Sequence, residues 1–197
     1  MHRPESDGST VKPVTIAIDA MSGDRGAAIV VAASLRAVRE NEALSIVLVG
    51  IRSELEALLR EGHARIRIVE AADVVGMHER PSHALRHKRN CSMAIALGLV
   101  RDQVAQGCVS AGNTGALMAF GRSVIRMYPG IERPAIAKLI PSLRGRCHVL
   151  DLGANVDSSA ENLYQYALMG SLMASAICDQ AEPRVALLNV GEEEIKG

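Results

Sequence analysis

The stretch Cys108-Val-Ser-Ala-Gly-Asn-Thr-Gly-Ala116 runs from an apolar approach into a corner of small and polar residues, and helical spacing resumes after Gly115. A strand, a tight loop and a helix N-terminus in that order turn unpaired amides into the corner. Gly112 and Gly115 leave the backbone open there, while Ser110, Asn113 and Thr114 add polar groups. The chemistry such a corner supports is the holding of an anion. An ordinary βα turn, using Gly and Asn for positive φ and Thr114 as N-cap, fits the stretch equally. Polar, glycine-bearing clusters recur at Asp19 to Asp24, Asp151 to Asp157 and Gly191 to Lys196. For Asp19, Asp24, Asp151 and Asp157 the competing reading is a cap or loop hydrogen bond.

The elements that must position these corners alternate between short apolar runs and periodic segments. Val14 to Ile18 precedes a helical pattern from Ala27 to Glu40. Ser45 to Val49 precedes a helix that Ser53 and Glu56 would open with a capping box, and Ile66 to Val69 follows. Further on, helices are expected over Ser92 to Gln106, from Gly115 to about Tyr128, and to Asp179 from a Ser158/Glu161 capping box. Strands are expected at Gly107 to Ser110, Cys147 to Leu150 and Arg184 to Val190, with a turn at Arg144 to Arg146. Alternating units of this kind imply an α/β fold with a mostly parallel sheet, whose carboxyl-terminal strand ends share one edge. Clusters far apart in sequence then converge on one crevice. Residues 1–12 read as a disordered leader and 13–197 as one α/β domain. The chain stops at a strand end where earlier units continue into a helix, so a further C-terminal part is expected.

Composition removes several classes. The 22 basic and 22 acidic residues cancel, and one Phe, three Tyr and no Trp leave few stacking platforms, which argues against nucleic acid. Cys91, Cys108, Cys147 and Cys178 lack C-x-x-C spacing and read as free thiols of a reducing cytosol, Cys108 as core within its strand rather than as a nucleophile. No apolar run approaches the ~18 residues of a membrane span, although surface attachment stays compatible with the composition. The G-x-G-x-x-G, G-x-x-x-x-G-K-[ST] and G-x-S-x-G fingerprints are absent. The run Arg86-His87-Lys88-Arg89 reads as a solvated face, with anion binding as the alternative. His83 and His87 have i, i+4 spacing but no third ligand nearby, so no metal is expected. In the last helix Ala167, Gly170, Ser171, Ala174 and Ser175 suit close packing in the core or at an oligomer interface.

Six ordered motifs together resemble the bacterial phosphate acyltransferases of the PlsX type. They are Ile18-Asp19-Ala20-Met21-Ser22-Gly23-Asp24, Ala84 to Lys88, Ser110 to Met118, Gly130 to Ala135, Asp151 to Asp157, and Leu188 to Gly197. Ser22 departs from the Gly usual in that family. The resemblance implies a Rossmann-like, three-layer α/β/α fold akin to phosphotransacetylases and isopropylmalate-type dehydrogenases. It also implies a homodimer that transfers a fatty acyl group from acyl carrier protein to inorganic phosphate without a cofactor. The acyl phosphate would pass to a glycerol-phosphate acyltransferase at the membrane, so a cytoplasmic, peripherally membrane-associated enzyme is expected.

The residues fit that reaction. Amides of the Gly112 to Gly115 loop suit a phosphate, with Asp19, Gly23, Asp24, Ser110, Asn113 and Thr114 around it as positioning groups. Attack on a thioester builds an oxyanion that Lys196 would neutralise, assisted by Asn155 and with Asp157 close by in sequence. The resemblance places an important lysine at the position of Lys196. A non-catalytic fragment that keeps only an anion or carrier-protein site is the alternative of a different class.

Overall fold

The computed structural model describes residues 12–60, 62–143, 145–153, 155, 158–178 and 180–188. The expected leader, apart from Lys12, lies outside the described residues, as does the whole Gly191 to Lys196 corner. The chain divides into two compact units, residues 1–125 and 126–197.

The first unit is built from β1 (Val14–Asp19), α1 (Gly26–Glu40), β2 (Leu44–Gly50), α2 (Arg52–Leu59), β3 (Ile66–Glu70), α3 (Pro81–His87), α4 (Ser92–Arg101), β4 (Gly107–Ser110) and α5 (Thr114–Phe120). A π-helical turn, Gly121–Ile125, continues α5. The strands form one parallel sheet in the order β3-β2-β1-β4. Because side chains alternate across a strand, β2 feeds two cores at once. Ile46 and Leu48 pack with Ala27, Val31 and Val38 of α1 and with Leu55 and Leu59 of α2. Val47 and Val49 pack with Ala96, Ile95 and Leu99 of α4. Helices therefore cover both faces, which explains why β2 is apolar at nearly every position. The parallel sheet is the one expected from the alternation of elements, and helices on both of its faces give the α/β/α layering that the family resemblance implies. Arg65 ties the end of α1 down, donating from its guanidinium to the carbonyls of Val38, Asn41 and Leu44.

Several local expectations give way to tertiary context. Ser53 does not cap α2: Ile51 occupies the N-cap without a side-chain bond, and the helix is held by Leu55 and Leu59 in the core. The α4 helix ends at Arg101 rather than Gln106, because Gln103 takes a φ of 58° and turns the chain toward β4. The N-cap of α5 is Asn113, not Thr114.

In the second unit β5 (Ala137–Ser142) and β6 (Gly145–Leu150) pair antiparallel, and α6 (Ala160–Cys178) packs on β6. The expected turn at Arg144 to Arg146 is shorter, since Gly145 and Arg146 already belong to β6. At the start of α6 the reciprocal cap is Ser159 with Asn162, one residue after the expected pair: Asn162 N–H donates to Ser159 Oγ and Ser159 N–H to Asn162 Oδ1. A Cβ on Gly170 would lie 3.0 Å from Leu150 Cδ1, so this small residue serves close helix-to-strand packing. Arg184 to Leu188 lacks the strand pairing expected there; it has no ladder partner among the described residues.

Candidate functional site

The strand order places a topological switch between β1 and β4. From β1 the chain winds outward through β2 and β3 on one side, then returns to pair β4 on the other. At such a point the loops after the two adjoining strands run in opposite directions, which in open α/β sheets favours a crevice at the strands' carboxyl ends. Asp19 and Ser110 are register partners at those ends. Their loops, Ala20 to Arg25 and Ala111 to Asn113, are two of the corners picked out by composition.

A hydroxyl network joins them. Asp19 is 2% exposed, and its Oδ2 accepts a 2.8 Å bond from Ser110 Oγ. Ser110 Oγ in turn accepts the Gly112 N–H at 3.2 Å. Ser22, 5% exposed, donates to the Asp19 carbonyl at 3.1 Å, accepts the Ala111 N–H at 3.2 Å, and lies 3.2 Å from Ser110 Oγ. Asp19 Oδ1 is buried with no hydrogen-bond partner among the described residues. Gly23, at a φ of 93°, carries the first loop past Ala111, whose Cβ would be 3.1 Å from a Cβ at Gly23. Asp24 is exposed at the start of the turn into α1. Ser22 was not a candidate from residue type alone; the available signal was a hydroxyl at a position where the resembling family has glycine.

The second loop is held mainly by protein contacts. Asn113 donates from Nδ2 to the carbonyls of Met77 (2.8 Å) and Glu79 (2.9 Å), while its Oδ1 accepts the Ala116 N–H at 3.0 Å. Its side chain is thereby fully committed as cap and brace. A Cβ on Gly112 would approach Ser22 Cβ at 2.9 Å, and one on Gly115 would approach Pro81 Cγ at 2.9 Å. Gly112 therefore answers to close packing of the two loops, and Gly115 to close packing of α5 against the start of α3. The first N–H groups of α5 have no intrahelical acceptor; Asn113 satisfies that of Ala116, and those of the exposed Thr114 and Gly115 are left for solvent or a ligand.

The basic run is not uniformly solvated, because Lys88 turns inward. Its Nζ donates to the Val74 carbonyl and to Glu79 Oε2, both at 2.7 Å. Glu79 also receives Gly76 N–H at 3.1 Å and pairs with His83 Nδ1 at 2.9 Å. The His83 and His87 rings lie 4.6 Å apart. The Lys88 bond first, then that of His83, holds the Glu79 carboxyl at about 2, well below its ordinary 4.5. A carboxyl more acidic in the folded than in the unfolded state adds stability in full above about pH 4.5, which is lost as pH falls toward 2. Glu79 is 15% exposed and Lys88 27%, so the expected acid-labile contribution is on the order of 2 kcal/mol. Urea unfolding between pH 5 and pH 2 checks this: Glu79→Gln should lose stability at pH 5 and show a flatter profile below it.

In the second unit the Asp151 corner is also internally bonded. Asp151, at a φ of 61°, donates its N–H to the Ile136 carbonyl at 3.0 Å. Asn155 Nδ2 donates to Asp151 Oδ1 at 3.2 Å and to the Pro134 carbonyl at 3.3 Å. Asp157 and Lys196 lie outside the described residues.

The cysteines separate by environment. Burial, with the Asp19 carboxylate adding, pushes Cys108 up to about 11, and burial raises Cys91 as well. A thiol at such a value is almost wholly protonated near neutrality and a poor nucleophile. Cys147 and Cys178 are exposed. Iodoacetamide at pH 7.5 should therefore modify Cys147 and Cys178 in the folded protein and spare Cys91 and Cys108 until urea is added, as read by peptide mass spectrometry.

Residues 14–197 match the model of a family described as "Fatty acid synthesis protein". Over 185 residues the chain is 91% identical to the phosphate acyltransferase of Marinobacter nauticus, covering 94% of this chain and 54% of that one. It is 56% identical over 186 residues to the phosphate acyltransferase of Pseudomonas putida, covering 92% and 55%. It is 51% identical over 191 residues to that of Legionella pneumophila strain Corby, covering 95% and 56%. The chain thus spans about half the length of these curated relatives. Among solved structures, a phosphotransacetylase from Streptococcus pyogenes superposes with a TM-score of 0.61 at 20% identity, over 85% of this chain and 55% of that one, a likeness of fold.

Proposed function

The chain belongs to the fatty acid synthesis protein family, that of the PlsX-type phosphate acyltransferases, and on that premise we propose that it transfers a fatty acyl group from acyl carrier protein to inorganic phosphate. The transfer is reversible and yields acyl phosphate for phospholipid synthesis. The observation that carries this reading is the pairing of Asp19 with Ser110 at the switch point between β1 and β4, with the N-terminus of α5 three residues beyond the end of β4.

In the proposed reaction the Thr114 and Gly115 amides donate to phosphate oxygens, and the loop aims one oxygen at the thioester carbonyl. That attack forms a C–O bond and an oxyanion; collapse expels the carrier thiolate. Lys196 neutralises the oxyanion, with Asn155 and Asp157 as further polar groups of the completed site. We assign the working protein as a cytoplasmic homodimer, peripherally membrane-associated, that passes acyl phosphate to a membrane glycerol-phosphate acyltransferase. Among the described residues no helix is long and apolar enough to cross a membrane.

The test is incubation with long-chain acyl-[acyl carrier protein] and phosphate, following acyl phosphate and free carrier. Both products should accumulate together and only with phosphate present. Saturable phosphate or carrier binding without product would replace the enzyme reading with that of a non-catalytic binding fragment.

A further inference from the structure

We infer that Asp19 acts on the proposed phosphate site at one remove, as the fixed anchor of a relay through Ser110 to the Gly112 amide, with Ser22 as a second clasp on Ala111. This rests on the phosphate reading above and changes what Asp19 does within it.

Three observations carry the inference. First, the bonds run in one direction: the Ser110 hydroxyl has a single proton, and Asp19 Oδ2 takes it at 2.8 Å. That fixes the rotor and leaves a lone pair for the Gly112 N–H, while the single proton of Ser22, whose Oγ lies 3.2 Å away, goes to the Asp19 carbonyl. Second, the anchor is buried within the sheet. Asp19 is 2% exposed and sits in mid-sheet on β1, hydrogen-bonded between β2 and β4, whereas the exposed Thr114 and Gly115 lie at the mouth of the loop. A carboxylate in direct contact with phosphate would also set two negative charges against each other. Third, the clasp is redundant in a useful way. Ser110 and Ser22 hold adjacent amides, Gly112 and Ala111, so together they fix the plane from which the loop enters α5. Preorganised amides bind an anion without reordering at the moment of binding, and that is where such a relay gains affinity.

The experiment compares the parent chain with Asp19→Ala, Ser110→Ala and the double variant. Hydrogen exchange of the Ala111 and Gly112 amides is measured by NMR without phosphate; inorganic phosphate is then titrated, with urea unfolding as the check on folding. Each single variant should speed Gly112 exchange and weaken phosphate by about tenfold, the scale of one lost hydrogen bond. The double variant should be no worse than either single, since both remove the same relay. In the acyl-transfer assay the loss should appear in KM for phosphate, with kcat nearly unchanged. Additive losses, or tighter phosphate binding in Asp19→Ala with Gly112 exchange unchanged, would overturn the relay. Faster Gly112 exchange in variants of a parent that binds no phosphate would keep the relay and end the phosphate reading instead.

Discussion

Gly112→Ala should destabilise the first unit by about 3 kcal/mol, and Ser22→Gly in the same chain should return part of that loss. The added methyl would lie 2.9 Å from Ser22 Cβ, 3.1 Å from Met93 Cε and 3.3 Å from Ser110 Oγ. Met93 is 1% exposed, so its terminal methyl has little room to retreat, and Ser22 Cβ is fixed to backbone. The loop itself must then shift, which strains the 3.2 Å bonds of both the Ala111 and the Gly112 amides. Overpacking contributes roughly 1–2 kcal/mol and each weakened bond about 0.5–1 kcal/mol. Ser22→Gly alone loses its own hydrogen bonds and should cost about 1 kcal/mol. In the double variant the nearest colliding atom is gone, so the combined loss should fall short of the sum by about 1 kcal/mol or more. Urea denaturation of the four proteins measures that coupling. Strict additivity would mean that the loops accommodate the methyl elsewhere and that the packing of Ser22 against Gly112 does not govern this corner.

What was legible in the sequence follows from which forces act locally. The strand β2 could be read because a strand covered on both faces is an almost unbroken apolar run, and Leu44 to Gly50 is one, whereas the edge strand β3 showed only as the short run from Ile66 to Val69, interrupted by the exposed Arg67. By contrast β5 escaped notice. Ala137-Lys-Leu-Ile-Pro-Ser has a proline and a lysine, is exposed at most positions, and is a strand only because β6 pairs with it across a hairpin. The caps were legible as a class but not by position. Ser158 and Ser159 are equally able, and Asn162 decides between them. Asn113 displaces Thr114 because its amide also braces two carbonyls 34 and 36 residues away. Lys88 was read with its charged neighbours because its partner Glu79 is nine residues upstream, and only the fold of the intervening loop brings them to 2.7 Å. The two corners at the ends of β1 and β4 were visible as glycine-bearing clusters. Their mutual contact depends on strand order, which no single residue encodes.

Lys196→Ala should lower the turnover of acyl-[acyl carrier protein] with phosphate by 10²–10³-fold, roughly 3–4 kcal/mol of barrier, while phosphate affinity changes little. The reasoning is one of charge placement. In the proposed reaction phosphate would arrive already anionic, and the backbone amides of the loop would meet it equally before and during attack, which is uniform binding and would leave the chemical step unaided. The thioester carbonyl oxygen becomes negative only as the phosphate oxygen adds to it. A cation held there interacts with the transition state far more than with the ground state, and that difference is what lowers a barrier. Loss of the cation should accordingly appear in kcat, in contrast to the relay variants, whose losses should fall on KM for phosphate. Lys196→Arg keeps the charge but replaces a compact ammonium by a planar fork, so it should restore only part of the rate. Single-turnover kinetics with pre-bound phosphate separate the two outcomes. Unchanged turnover in Lys196→Ala would remove this residue from the mechanism, and a fall in phosphate affinity with kcat preserved would make it a ligand of the ground state instead.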